Sequence, residues 1–317
     1  MRLENTIVLI IICTIALYAI ALFLADFNLI QEKLSNFKII YLPIILFFVT
    51  LSFLPLFLRW QFLLKNSNIH IPLKSSLLIF LSGGALSITP GQIGDLLKSQ
   101  IIKKKFNIPR TDTAAIILSE KIYDLIAAIS ASIIGIIILG IDIQITFIAI
   151  SILAFIFFLI YYKPAFFSVI RQIKKLKFIS KYTDNLSDSY NTLRKSTSIK
   201  TASICFPLSI AYWLIISIAV YYTFLAFDVD IVNYLDILFI YVVSVLFGAI
   251  SFVPGGIGIT EGSIVGLLTL NGIDVSTALI LSVMARIMTL WYPACIGFIC
   301  LKFSINFSFK EDSNDKN

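Results

Sequence analysis

Apolar residues in this chain come in long blocks with little polar punctuation, and runs such as Ile7 to Ala25 show neither the two-residue alternation of a half-buried strand nor the narrow stripe of a soluble helix. A hydrocarbon core about 30 Å thick takes roughly 20 helical residues to cross. Blocks of that size recur at about residues 6–25, 40–58, 113–139, 143–162, 202–226 and 276–301. In lipid each segment must satisfy its own backbone hydrogen bonds, so the pattern predicts an all-α polytopic membrane protein with about six full spans. Strands of a membrane barrel are shorter, about ten residues, and alternate strictly.

Two further apolar regions, residues 75–97 and 236–270, carry a Pro-Gly element in mid-segment, SITPGQIGD and SFVPGGIGITEG. Proline removes a backbone donor and glycine leaves helical geometry cheaply, so each region is expected to break into a pair of half-helices. Such a break is tolerated at membrane depth only where protein or a cavity surrounds it. The two elements also match one another. GALSITPGQIGDLLKS from Gly84 aligns with GAISFVPGGIGITEGS from Gly248 at an offset of 164, sharing Gly, Ala, Ser, Pro, Gly, Ile and Gly positions; one residue out of step, Lys121-Ile122 aligns with Arg286-Ile287. Three full spans lie between the elements, and an odd number of crossings inverts the second copy. The expected architecture is an inverted repeat with two re-entrant helix pairs: a first half of about 1–162, a basic connection 163–200, a second half of about 201–303 and a polar tail 304–317.

Composition agrees with a membrane protein: 59% of the 317 residues are hydrophobic and 14% charged, with mean hydropathy +0.96. The net charge of +7 lies in loops flanking the spans, which argues for membrane topology and against nucleic acid. Residues 98–110 carry Lys98, Lys103, Lys104, Lys105 and Arg110 with no acid, and 163–200 is strongly basic, so both are expected to be cytoplasmic. The connections bearing Asp142, and Asp228, Asp230 and Asp236, have no basic residue and fall outside. This places both termini in the cytoplasm of a plasma (inner) membrane protein. The first run lacks a small residue at a cleavage position, Phe23 standing there, and reads as a retained helix. Cys13, Cys205, Cys295 and Cys300 sit in apolar segments without metal-site spacing and read as small core residues. With His70 the only histidine, neither a His-based metal site nor a catalytic triad can be assembled, and no cofactor is expected.

Charges inside spans cost about 2.5 to 3.5 kcal/mol each, so those that persist are candidates for function. They are Asp95 and Lys98 after the first break, Glu120, Lys121 and Asp124 within the span from 113, Glu261 three residues after Gly258, and Arg286 in the final span. Lys121 with Asp124, and Glu261 with Arg286, could equally be ion pairs that lock helices, and Lys98 could snorkel to the cytoplasmic surface. A cavity faced by cations and half-helix N-termini suits an anionic headgroup, and apolar walls suit lipid tails. The candidate substrate-binding set is Pro90, Gly91, Gly94, Asp95, Lys98, Glu120, Lys121, Asp124, Pro254, Gly255, Gly256, Gly258, Glu261 and Arg286.

At these residues the chain resembles the membrane domain of lysylphosphatidylglycerol synthase/flippase proteins, which also occurs as stand-alone flippase-like proteins. The resemblance rests on Pro90-Gly91-Gln92-Ile93-Gly94-Asp95, on Glu120, Lys121 and Asp124, on the PGG-x-G-x-x-E element from Pro254 to Glu261, and on Arg286 before WYPACIG. Asp95 stands where the family more often has Glu, Gln92 where it often has Arg, and Lys121 where Arg is common. Loss of a cation at Gln92 bears on headgroup preference. Ending on FSFKEDSNDKN, the sequence is expected to carry the lipid-translocating half without the synthase that the resemblance associates with it.

The expected function is therefore a flippase or scramblase-like transporter, not an enzyme, moving an anionic phospholipid or a polyprenyl-phosphate-linked lipid between leaflets. Two alternatives stand beside it: a membrane-embedded lipid-modifying transferase using Asp95 or Glu261 as acid/base, and a non-transporting accessory protein of a glycosyltransferase. Expected partners are membrane lipids with an anionic headgroup and an enzyme of lipid-linked glycosylation or aminoacyl-lipid synthesis.

Overall fold

The computed structural model describes residues 35–86, 88–89, 95–138 and 192–314, with isolated positions at 31, 151, 155, 162 and 168. The expected spans at 6–25 and 143–162, most of the 163–200 connection, and Cys13, Pro90, Gly91, Gln92 and Gly94 lie outside the described residues.

Every regular element among the described residues is helical: α1 (Leu42–Asn66), α2 (Leu73–Gly83), α3 (Leu97–Phe106), α4 (Arg110–Ile138), α5 (Ile199–Leu225), α6 (Tyr234–Ile250), α7 (Ile259–Leu270), α8 (Val275–Arg286) and α9 (Tyr292–Asn314). A π-helical turn, Ile287–Trp291, joins α8 to α9. Among the described residues, three continuous helical stretches are long and apolar enough to cross a membrane: Ile39–Asn66, Ile199–Leu225 and Val275–Ser304. This is an integral membrane bundle, and its surface says so residue by residue. α1 turns Phe47, Leu54 and Leu58 outward while burying Ile45, Val49, Ser52, Arg59, Trp60 and Leu63. The inner stripe repeats at three- and four-residue spacing, and the outer one is oil-like rather than charged, as lipid demands.

Element order repeats at the offset seen in the sequence. α1, α2, α3 and α4 are followed in the second half by α5, α6, α7 and the α8–α9 stretch, with short 3-10 turns at Gly84–Leu86 and at Pro254–Gly256. The packing is reciprocal. α1 lies against α5; α2 packs on α9, and its counterpart α6 packs on α4. An exchange of partners of this kind is what a pseudo-two-fold relation produces, as in an isologous interface.

Two ends of the bundle can be distinguished. At one, Asn66 Nδ2 donates to Thr201 Oγ1 at 3.2 Å and Lys105 Nζ to Ser75 Oγ at 3.4 Å. That end gathers the end of α1, the start of α2, the end of α3 and the start of α5, with Lys103, Lys104, Lys105 and Lys200 among them. At the other end, the Lys38 amide donates to the Ala226 carbonyl at 2.9 Å and the Lys38 ammonium pairs with Asp228.

Several boundaries differ from the sequence expectation for a physical reason. The first described span continues through Arg59 to Asn66 instead of stopping at residue 58, because Arg59 is paired inside the bundle rather than solvated at its edge. The second half-helix of the first broken region runs to Phe106 and ends on Asn107 in the left-handed conformation (φ 54°). Cys205 is buried as expected, whereas Cys295 on α9 is exposed and is not a core residue.

Candidate functional site

Six charged side chains, five from α1, α3 and α4 and Asp95 from the turn just before α3, form one network in the first half. Lys98 Nζ donates to Glu120 Oε2 at 2.7 Å, and Lys121 pairs with Asp95. Arg59 Nη1 donates to Asp124 Oδ1 at 2.5 Å and to Ser209 Oγ at 2.6 Å, and Arg59 Nη2 lies 4.0 Å from Glu120 Oε1. Glu120 and Asp124 both reach Arg59 because positions four apart share a helical face. With Arg59, Lys98 and Lys121 against Asp95, Glu120 and Asp124, the network is neutral, which limits the cost of holding it away from water. Its depth is substantial. Arg59 lies seven residues before the end of α1 and Ser209 ten residues after the start of α5, about 10 and 15 Å along the helix axes.

Aromatic rings and close backbone packing hold the network. The Lys98 ammonium sits 4.8 Å from the centroid of the Trp60 ring, a cation–π contact. Trp60 Nε1 donates to Ser76 Oγ at 3.0 Å, and Trp213 Nε1 to the Asp124 carbonyl at 3.2 Å. Gly83 is needed where α2 passes the network: a Cβ there would fall 2.9 Å from Asp95 Oδ1 and 3.1 Å from Lys98 Cδ. Lys98 does not snorkel to the surface, the alternative open to it in the sequence, since its side chain is buried on Glu120. Nor does Lys121 pair with its neighbour Asp124; each takes a partner on another element.

The second half holds a smaller cluster of the same kind. Arg286 Nε donates to Glu261 Oε1 at 2.9 Å, and Nη2 of the same residue donates to the Gly255 carbonyl. The other oxygen of Glu261 accepts the Gly258 amide at 2.7 Å. One carboxylate therefore caps the start of α7 and holds the arginine that precedes the π turn, while the arginine holds the break itself. Gly258 has φ +84° and Gly255 φ +61°, conformations that side chains rarely adopt, so the chain turns there on glycine. Arg286 lies eleven residues into α8 from Val275, about 16 Å along the axis. The two halves share a plan, an acid at the start of the half-helix after the break paired with a cation on the following long helix: Asp95 with Lys121, Glu261 with Arg286.

The broken elements touch. Ile88, of the first, is buried against Leu290 and Ala294 with Ile257 and Trp291 around it, and its Cγ2 lies 3.5 Å from where a Cβ on Gly255 would stand. Gly297 of α9 closes on the same region, for a Cβ there would overlap the backbone of Gly84 and Ala85.

Of the candidate residues, Asp95, Lys98, Glu120, Lys121 and Asp124 fall in one network, and Gly255, Gly258, Glu261 and Arg286 in the second, with Pro254 and Gly256 in its 3-10 turn. Pro90, Gly91 and Gly94 lie outside the described residues. The sequence reading missed Arg59, the hub of the first network, and its partner Ser209. An arginine directly after an apolar run looks like an interfacial flank; the one signal was Trp60-Gln61-Phe62-Leu63-Leu64, which carries the apolar pattern past it.

An all-helical integral membrane bundle with paired charges at depth and broken helices in contact is the class of protein these features define. The chain belongs to the family described as the lysylphosphatidylglycerol synthase transmembrane region, whose family model matches residues 9–297. It is similar to a UPF0104 membrane protein of Methanocaldococcus jannaschii, 24% identical over 237 residues that cover 73% of this chain and 98% of the relative. A UPF0104 membrane protein of Pyrococcus horikoshii is 23% identical over 319 residues, covering 92% of this chain and 95% of the relative. A third, from Methanothermobacter thermautotrophicus, is 26% identical over 117 residues, or 37% of this chain and 35% of the relative.

Proposed function

We propose that this protein is a flippase or scramblase-like transporter, not an enzyme, that moves an anionic phospholipid or polyprenyl-phosphate-linked lipid between leaflets of the plasma membrane. In this reading α2–α3 and α6–α7 are re-entrant pairs of an inverted repeat, both termini are cytoplasmic, and the two charged clusters flank one site reached from either face. The observation that carries it is the meeting of the breaks, Ile88 against Gly255, in a bundle that also holds two sets of paired charges. A bundle stabilised by packing alone has no use for interrupted helices at that depth, where each freed backbone group needs a partner. The pairing of all these charges describes a closed state, in which carboxylates occupy the places that headgroup oxygens take.

The same neutrality favours one other reading, a non-transporting accessory protein whose ion pairs only lock helices. Reconstitution decides between them. Purified protein in liposomes with fluorescent phosphatidylglycerol, phosphatidylethanolamine or phosphatidylcholine is expected to speed leaflet exchange of the anionic lipid above protein-free vesicles. Exchange at the protein-free rate for each of these lipids, and for a fluorescent polyprenyl phosphate assayed alongside them, would move the assignment to the accessory protein.

A further inference from the structure

The two intramembrane arginines use their guanidinium groups differently. A guanidinium binds a carboxylate or phosphate most firmly along an edge that presents two parallel N–H bonds, and Nε with Nη2 forms such an edge. In Arg286 that edge is filled by the protein itself, Nε on Glu261 and Nη2 on the Gly255 carbonyl. In Arg59 the protein binds Nη1 alone, through Asp124 and Ser209. Its Nε is buried without any hydrogen-bond partner, and its Nη2 approaches Glu120 only at 4.0 Å, beyond hydrogen-bond range. Arg59 is 2% exposed, so this is an unfilled fork in the interior of the bundle, where an unmade charged hydrogen bond is costly.

We propose that the Nε–Nη2 edge of Arg59 is the receptor for a phosphate group, and that Asp124, held on the neighbouring Nη1, is the carboxylate that swings away when the phosphate arrives. Resting on the transport reading above, this adds to it the residue that reads the headgroup. The network supplies a route: Lys121 and Asp124 form its open side, with side chains 33% and 25% exposed, while Lys98 and Glu120 are closed off behind them. An anion attracted by Lys121 meets Asp124 first and Arg59 behind it. Because the six charges already cancel, a bound phosphate leaves an excess of negative charge. Asp124 is the acid able to shed that excess by turning toward its exposed side, since Asp95 and Glu120 are buried on lysines. Arg286 is then a latch on the second break, and Arg59 the recognition group.

The test is binding rather than transport, so that it can fail while leaflet exchange stands. The full chain in detergent micelles is titrated with a short-chain phosphatidylglycerol and, separately, with a diacylglycerol of the same chains, and bound lipid is counted by native mass spectrometry. Wild type is expected to prefer the phosphate-bearing lipid. Arg59→Lys, which keeps the charge and removes the fork, is expected to lose that preference by roughly ten-fold. Asp124→Asn, which removes the negative charge beside the fork, is expected to bind phosphatidylglycerol several-fold more tightly, a gain that a purely structural Arg59–Asp124 pair would not give. If inorganic phosphate at millimolar concentration displaces the lipid without regard to acyl chains, the anion site stands and its ligand is free phosphate. Arg59→Lys binding like wild type at an unchanged melting temperature overturns the proposal, and so does weaker binding by Asp124→Asn. Should Arg59→Lys fail to fold, Asp124→Asn alone decides, by the direction of its change.

Discussion

Individual charges set the stakes at the smallest scale. Glu261 and Arg286 are both buried, and removing one partner of a buried pair costs about 3 to 5 kcal/mol because the other is left uncompensated. Glu261→Gln and Arg286→Gln are each expected to lower the melting temperature of the purified protein and to abolish lipid exchange in liposomes. The double variant Glu261→Gln/Arg286→Gln leaves no lone charge, so it is expected to recover most of the stability and none of the exchange. Recovery of both would make the pair structural only. Outside the bundle, the hydrogen bond and charge of Asp228 raise Lys38 above its ordinary value of 10.5. A raised cation contributes stability that is whole below its unfolded pKa, so a melting-temperature difference between wild type and Lys38→Ala is expected to stay constant from pH 6 to about 9 and to shrink above about 10.5. A difference that changes near neutrality would contradict this.

Among helices, close approach is set by particular glycines, and it was only partly legible. Both Pro-Gly elements announce a break; in the second, the chain leaves α6 after Ile250 and resumes at Ile259, as proline and left-handed glycines require. Gly297 stood only as the end of the WYPACIG element, with nothing in sequence to show what it meets, yet it is where α9 crosses Gly84 and Ala85. Gly297→Ala is expected to force these backbones apart and destabilise the protein by roughly 1 to 3 kcal/mol, the cost of overpacking. Gly266→Ala, with open space around its position in α7, is expected to be neutral or to stabilise by about 0.5 to 1 kcal/mol. Melting temperatures of the two variants in one detergent check both; equal effects would mean that the α9 crossing is not tight.

For the whole molecule, the expectation that matters is orientation. Lys105, at the end of the bundle where the basic residues gather, is expected to react as Lys105→Cys with an impermeant maleimide only after cells are permeabilised, and Lys177→Cys likewise. Asp228→Cys, at the opposite end beside Lys38, is expected to react from outside intact cells. Strong labelling of position 105 or 177 from outside would overturn the topology and with it the inverted repeat.

The sequence by itself determined the solvent, the element type and the order of elements. Apolar blocks of spanning length admit only helices in lipid, and the Gly, Pro and Ser positions shared at an offset of 164 appear again as two sets of elements with reciprocal packing. It also marked Asp95, Lys98, Glu120, Lys121, Asp124, Glu261 and Arg286 as charges in need of an explanation. What it left open was the pairing. Lys121 had an acid three residues away and took one on another element, Lys98 turned inward to Glu120, and Arg59, at the apparent edge of a span, became the hub. Only the tertiary structure decided this, because which acid meets which cation depends on how helices rotate and cross. Water would have accepted all of the local pairings, whereas the interior keeps only those that leave few charges alone.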